Sequence, residues 1–390
     1  MNRHLLLLAL CQALFLINNV TFIAINGLVG LDLAPHAWMA TLPIMGYVVG
    51  GALAAPLVAR SQMRWGRRAS FQIGLAVALF SVLLAAFAAQ RHSFMLLITA
   101  TVIAGYYYAN GQLYRFAAAE LTTPDWRDKA VSLVLAGSVI GAVIGPNMAA
   151  WTRGLTATPF VGAYLTLAVV ALLAMGVMAR IRFPADPHAG KRAVGGRPMR
   201  VILRQPVFIV ATLGAAVSYG VMNLLMAATP LAMQVYGFEF GATALVLQWH
   251  VIAMYAPGFA TGWLIDRFGV LAVMGAGLVL NALCVAVALS GVHLHQFVAA
   301  LVLLGVGWNF LFTGATALAL RAYRPEERDR AQGAINIAMF LTMAVTSFAS
   351  GAVVTTSGWP WLNAGSGPAL VLMAAALIWL ALRGRRTAPA

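Results

Sequence analysis

A chain of 390 residues that is 62% hydrophobic and 9% charged, with a mean hydropathy of +0.87, carries too few charges to clothe a water-soluble globule. A formal charge of +15 would suit a nucleic-acid partner, but the basic residues gather in alternate loops rather than on one face. That pattern argues against a nucleic-acid binder and indicates an integral membrane protein whose basic surface faces anionic lipid.

The start, Met1 to Leu8, imitates a secretory signal, with a basic tip before a run of leucines. Apolar character persists to about Val29, so an uncleaved first span is expected. Twelve spans are expected, at 4-30, 36-59, 69-90, 94-120, 130-152, 156-180, 205-235, 240-265, 270-291, 295-320, 330-355 and 364-383, each near the length of a bilayer crossing. Positive residues cluster at Arg60 to Arg68, Arg127 and Lys129, Arg180 to Arg204, Arg267, Arg321 to Arg330 and Arg383 to Arg386, and the intervening loops hold only Arg91 and Arg153. The asymmetry predicts a multi-pass protein of a bacterial inner membrane with both termini in the cytoplasm. Cys11 and Cys284 fall inside spans, so no disulfide framework is expected.

The chain repeats itself. Thr123-Pro124-Asp125-Trp126-Arg127-Asp128-Lys129-Ala130 echoes Arg324-Pro325-Glu326-Glu327-Arg328-Asp329-Arg330-Ala331, and Met63-Arg64-Trp65-Gly66 echoes Asp266-Arg267-Phe268-Gly269 at nearly the same offset. The fold expected is therefore all-α: twelve transmembrane helices in two pseudo-symmetric six-helix bundles, 1-182 and 205-390, joined by a basic cytoplasmic linker at 183-204.

Over nearly its whole length the sequence resembles the major facilitator superfamily. Gly262-Trp-Leu-Ile-Asp266-Arg267-Phe-Gly269 looks like that family's loop signature, and Gly137-Ser-Val-Ile-Gly141-Ala-Val-Ile-Gly145-Pro146 like its glycine-rich fifth-helix motif. The first-half copy of the loop signature departs from the pattern, with Met63 where an Asp is usual. The resemblance implies alternating access around a mid-membrane cavity. Glycine at every fourth position also leaves a groove for a second helix.

Charged residues are the first suspects in such a cavity, and they are scarce: Asp32, Glu239 and Glu120 lie near span ends, and only Arg115 lies well inside one. Soft ligands are better represented. Met222 and Met226 are four apart on the seventh span, and His250 and Met254 are four apart on the eighth, so each pair shares a helix face. With a short link between spans, the two helices are expected to be antiparallel neighbours aiming three thioethers and an imidazole at one point. That set suits Cu(I) better than a hard ion. These motifs resemble the CcoA-like copper importers, a resemblance that implies Met222, Met226, His250 and Met254 as metal ligands and copper as transported substrate. Relatives of the RfnT type, similar in framework, serve riboflavin.

Aromatic and amide residues favour that second cargo. Tyr106, Tyr107, Tyr108, Asn110, Gln112, Tyr114 and Arg115 crowd the fourth span, Trp308 and Asn309 occupy the corresponding place in the tenth, and Asn223 sits beside the soft pairs. Tyr107, Asn110, Asn223, Trp308 and Asn309 are thus expected to stack on and hydrogen-bond a planar heterocycle. Loop histidines His36, His92, His293 and His295 are expected to be solvated. No catalytic nucleophile or phosphate-binding glycine loop appears, so neither an enzyme nor an ATP-driven pump is expected, and no cofactor. The sequence reading is a monomeric secondary transporter importing copper, as Cu(I) or a copper chelate, into the cytoplasm, with uptake of riboflavin or another planar solute, or drug efflux, as alternatives.

Overall fold

The computed structural model describes residues 3–123, 126–184 and 196–387, without the side chains of residues 128, 325, 329 and 384–387. Residues 185–195 of the expected linker, and Pro124 and Asp125 of the repeat, lie outside the described residues. The described residues are helical almost throughout.

In chain order the helices are α1 (Arg3–Leu33), α2 (Leu42–Gln90), α3 (Phe94–Gly111), α4 (Tyr114–Glu120), α5 (Arg127–Thr152), α6 (Val161–Met178), the short α7 (Met199–Leu203), α8 (Pro206–Val235), α9 (Phe240–Tyr255), α10 (Gly258–Phe268), α11 (Val270–Leu289), α12 (Leu294–Ala319), α13 (Arg328–Thr356), α14 (Trp359–Gly365) and α15 (Gly367–Thr387). Nine helical stretches among the described residues are long and apolar enough to cross a membrane. One of them is two limbs joined at Gly66. The pairs α3 with α4 and α9 with α10 supply two further rods, interrupted around Gln112 and Pro257. The twelve expected spans correspond to these rods.

Backbone geometry shows the internal repeat directly. Gly66 has φ 77° and ψ 170°, and Gly269 has φ 85° and ψ 153°. Both values lie in a region that essentially only glycine occupies. Each glycine ends one rod and starts the next at the corresponding place in its half, so the sequence echo reflects a conserved bend in the chain path.

The fifth-helix glycines receive α1. A Cβ at Gly137 would lie 2.3 Å from the Ala9 carbonyl oxygen, and one at Gly141 would lie 2.8 Å from that of Ala13. Thr21 Oγ1 then donates to the Gly145 carbonyl at 2.8 Å, adding a polar link to the close packing.

The ion pairs Arg67–Glu120 and Arg197–Glu327 lie at the end of the bundle that carries the basic loops. Arg67 pairs with Glu120 in bidentate fashion, at 3.1 Å from Nε and 2.5 Å from Nη2. Arg197 binds Glu327 through its backbone N–H, Nε and Nη2, at 2.7, 2.9 and 2.7 Å. The guanidinium of Arg197 holds the Glu327 carboxyl well below the usual carboxylate range, and the Arg324 N–H adds to the effect. This contact fastens residues just after the undescribed stretch to the turn before α13.

Candidate functional site

The site forms where helices from both repeats face one another. Tyr219 lies about 20 Å along α8 and Trp308 about 21 Å along α12, taking 1.5 Å per residue, so both are near mid-membrane. The Trp308 ring meets Tyr219 edge-on at 5.2 Å, Tyr255 at 6.2 Å, and stacks on Phe312 at 5.2 Å with 16° between planes. Opposite this aromatic wall stand Gln12 and Phe15 of α1, Gln112 at the break between α3 and α4, and Arg115 of α4. They enclose a cavity of about 40 Å³, room for roughly one water molecule.

Two donors at the cavity lack acceptors. Trp308 Nε1 and Arg115 Nε are both buried and have no hydrogen-bond partner among the described residues. Such groups carry a desolvation cost of about 1–3 kcal/mol each unless something accepts from them. No carboxylate lines the cavity among the described residues. Its chemistry is therefore aromatic faces, amides and one guanidinium, suited to a flat molecule rich in carbonyl and ring-nitrogen acceptors.

Of the site residues expected from sequence, Trp308 lines the cavity. Tyr107 stands one layer behind it, edge-on to Phe15 at 5.4 Å. Asn110 donates to the Ser70 carbonyl at 3.0 Å and joins α3 to α2. Asn309 donates to the Met254 carbonyl at 2.7 Å and accepts from Thr261 at 2.6 Å, tying α12 to α9 and α10. Asn223 donates toward Met343 O, Thr346 Oγ1 and Ser347 Oγ of α13 at 2.8 to 3.1 Å. These three amides bind neighbouring helices in the positions the structure shows.

The soft pairs need one correction. The helices that carry them, α8 and α9, follow each other in sequence but touch only sparsely, because α12 packs along both. Met222, Met226 and Met254 are each 6% exposed and His250 is fully buried. His250 turns to α12, where Nδ1 lies 2.7 Å from the Leu301 carbonyl oxygen. A carbonyl only accepts, so Nδ1 carries the proton and Nε2 is an acceptor, unpartnered among the described residues. Sequence reasoning missed Gln12, Phe15, Tyr219, Tyr255 and Phe312. Tyr255 directly follows Met254, and Tyr219 precedes Met222 by three, the spacing that puts it on the same helix face.

The two repeats are fastened to each other on the side of the cavity away from the basic end. Thr41 Oγ1 donates to the Ser347 carbonyl at 2.6 Å and accepts from the Gly351 N–H at 3.0 Å. Asn147 Nδ2 donates to Gln248 Oε1 at 2.5 Å, and Arg153 lies over the rings of Phe160 and Phe240 at 5.3 and 5.5 Å.

The profile of the Major Facilitator Superfamily matches residues 5–261 and again 239–390. The chain belongs to the major facilitator superfamily. Among curated relatives it is similar to the riboflavin transporter RfnT of Brucella anthropi, 38% identical over 365 residues that cover 93% of this chain and 91% of that one. It is also similar to two uncharacterized MFS-type transporters of Bacillus subtilis. YddS is 28% identical over 92% of this chain and 86% of its own, and YdeG is 28% identical over 93% and 88%. This superfamily member is a transporter, not an enzyme. The resemblance to RfnT-type proteins read from the sequence has a counterpart among these relatives, and the resemblance to copper importers has none.

Proposed function

We propose that this transporter moves riboflavin, or a planar heterocycle of the same kind, by alternating access of two halves, 1-182 and 205-390, with the basic end in the cytoplasm of a bacterial inner membrane. The observation that carries the reading is the wall of Tyr219, Trp308, Tyr255 and Phe312 together with two donors at the cavity that lack acceptors, Trp308 Nε1 in the wall and Arg115 Nε outside it. An isoalloxazine ring offers a flat π face to that wall and a row of carbonyl and ring-nitrogen acceptors to Trp308 Nε1 and Arg115. Gln112 is placed for its imide or its ribityl hydroxyls, and Gln12, whose Nε2 donates to Ser138 Oγ at 3.0 Å, keeps Oε1 as an acceptor for the imide N–H. The 38% identity to a protein named as a riboflavin transporter points the same way.

A cavity of about 40 Å³ is too small for a tricyclic ring, so on this reading the site must widen to take its cargo. Loading requires one end to part. Copper import is the weaker reading. None of the relatives above is named as a copper transporter, and α12 packs along both helices that carry the proposed ligands.

The test is uptake of labelled riboflavin by cells unable to make it, with cell copper measured in parallel. The chain is expected to raise riboflavin uptake and leave copper unchanged. Trp308→Ala and Arg115→Gln are each expected to lower uptake at least about tenfold, the consequence of losing ~1.4 kcal/mol of cargo binding. A rise in copper without any in riboflavin would overturn the reading.

A further inference from the structure

A second cavity, of about 530 Å³, lies at the basic end and is separate from the transport site. Its lining is Arg3, His4, Arg68, Ala179, Arg180 and Arg182, four guanidiniums and an imidazole with no acidic side chain among the described residues. Three parts of the chain converge to make it. Arg68, just past the Gly66 bend of α2, donates from Nη2 to the Ala179 carbonyl beyond the end of α6. The Arg182 N–H donates to His4 Nδ1 at 3.4 Å, drawing the start of α1 to the same place.

None of the carboxylates described at this end lines the cavity. Glu120 is engaged by Arg67 and Glu327 by Arg197, so neither supplies a counter-charge to the cavity. Like charges held together by backbone contacts repel, and a bound polyvalent anion relieves that. Guanidinium forks match phosphate oxygens two at a time.

The surroundings indicate how the anion is presented. Leu165, Val169, Leu172 and Leu173 are 43% to 57% exposed and form an apolar stripe on α6 that runs toward Ala179 and Arg180. Acyl chains lying on that stripe bring a headgroup to the cavity. We infer that Arg3, Arg68, Arg180 and Arg182 form a binding site for the phosphate of an anionic membrane lipid, seated between the start of α1, the Gly66 bend of α2 and the end of α6.

The experiment is native mass spectrometry and thermal unfolding of the full-length protein in detergent, titrated with phosphatidylglycerol, phosphatidylcholine or inorganic phosphate. Phosphatidylglycerol is expected to bind and stabilise, phosphatidylcholine to do so far less. The Arg180→Gln, Arg182→Gln double variant is expected to weaken phosphatidylglycerol binding about 25-fold, some fivefold for each basic residue. Arg68→Gln serves as a second, independent weakening. An Arg204→Gln, Arg321→Gln pair removes the same charge elsewhere and is expected to bind as the unaltered protein does. Equal weakening by that control pair, or unchanged binding in the cavity variants, would overturn the site. Inorganic phosphate that binds as tightly as the lipid and displaces it would overturn the assignment to a membrane lipid.

Discussion

Thr41 and Gly351 meet across the two repeats, the hydroxyl of one accepting the backbone N–H of the other at 3.0 Å while donating to Ser347 O at 2.6 Å. The contact needs glycine, since a Cβ at 351 would lie 2.2 Å from Thr41 Oγ1. Gly351→Val is therefore expected to part this end. If closure is disfavoured by ~1.4 kcal/mol, the ratio of closed to open molecules falls about tenfold. Labelling of an Asn147→Cys reporter by a membrane-impermeant maleimide checks it, compared with and without Gly351→Val because the reporter itself removes the Asn147–Gln248 bond, against a background of Cys11 and Cys284, which are both buried. Labelling no faster than in the Gly351 protein would show that the contact does not hold this end shut.

For the soft pairs, a Met222→Leu, Met226→Leu double variant keeps apolar bulk in a buried face. Riboflavin uptake is expected to stay within about twofold, because neither methionine lines the cavity and the swap conserves volume. His250→Ala has a different consequence, because it leaves the Leu301 carbonyl without its donor. A loss of stability of about 1–3 kcal/mol is expected, read as a lower unfolding temperature in detergent. Loss of copper uptake in the methionine variant, with riboflavin unaffected, would reinstate the metal reading.

The clamp between Arg197 and Glu327 carries a pH signature. Because the folded carboxyl titrates well below its ordinary value, its contribution to stability is fully present above the unfolded pKa of about 4.3 and is lost as pH falls further through the folded pKa. Unfolding temperature is thus expected to be flat from this group between pH 7 and pH 5 and to drop below about pH 4. Glu327→Gln is expected to lower stability at pH 7 and flatten the acid limb. A variant with the same acid limb as the unaltered protein would place the titration elsewhere.

The seam between α1 and α5 predicts a steep size dependence. Gly137→Ala pushes a methyl against the Ala9 carbonyl and is expected to cost about 1–3 kcal/mol, while Gly176→Ala, with open space around it, is expected to cost nothing. Unfolding temperatures of the two variants, compared in one detergent, test the packing directly.

The sequence disclosed the architecture well and the site only in part, for a physical reason. Span length, loop charge and the echo of Gly66 in Gly269 are local properties, read one segment at a time. The helix that fills the groove at Gly137 and Gly141 is α1, four spans earlier, which no local pattern names. Four-residue spacing correctly put Met222 with Met226 and His250 with Met254 on common faces. It did not say that α12 would pack along both helices, nor that His250 would turn to Leu301. Asn110, Asn223 and Asn309 illustrate the same limit. Their composition suits a cargo or a neighbouring helix equally, and only the fold shows that each has a helix as partner. Arg115 and Trp308 stood out in sequence as an intramembrane charge and a polar aromatic, and both line the cavity.

Flavin fluorescence gives the most direct measurement, because an isoalloxazine stacked on tryptophan or tyrosine loses its emission. Riboflavin titrated with the purified transporter is expected to be quenched saturably, with Trp308→Ala and Tyr219→Leu together abolishing the quench and Met222→Leu with Met226→Leu preserving it. Saturable quenching that survives Trp308→Ala and Tyr219→Leu together, or no binding of riboflavin by the unaltered protein, would contradict a cargo resting on the Tyr219, Trp308 and Tyr255 wall.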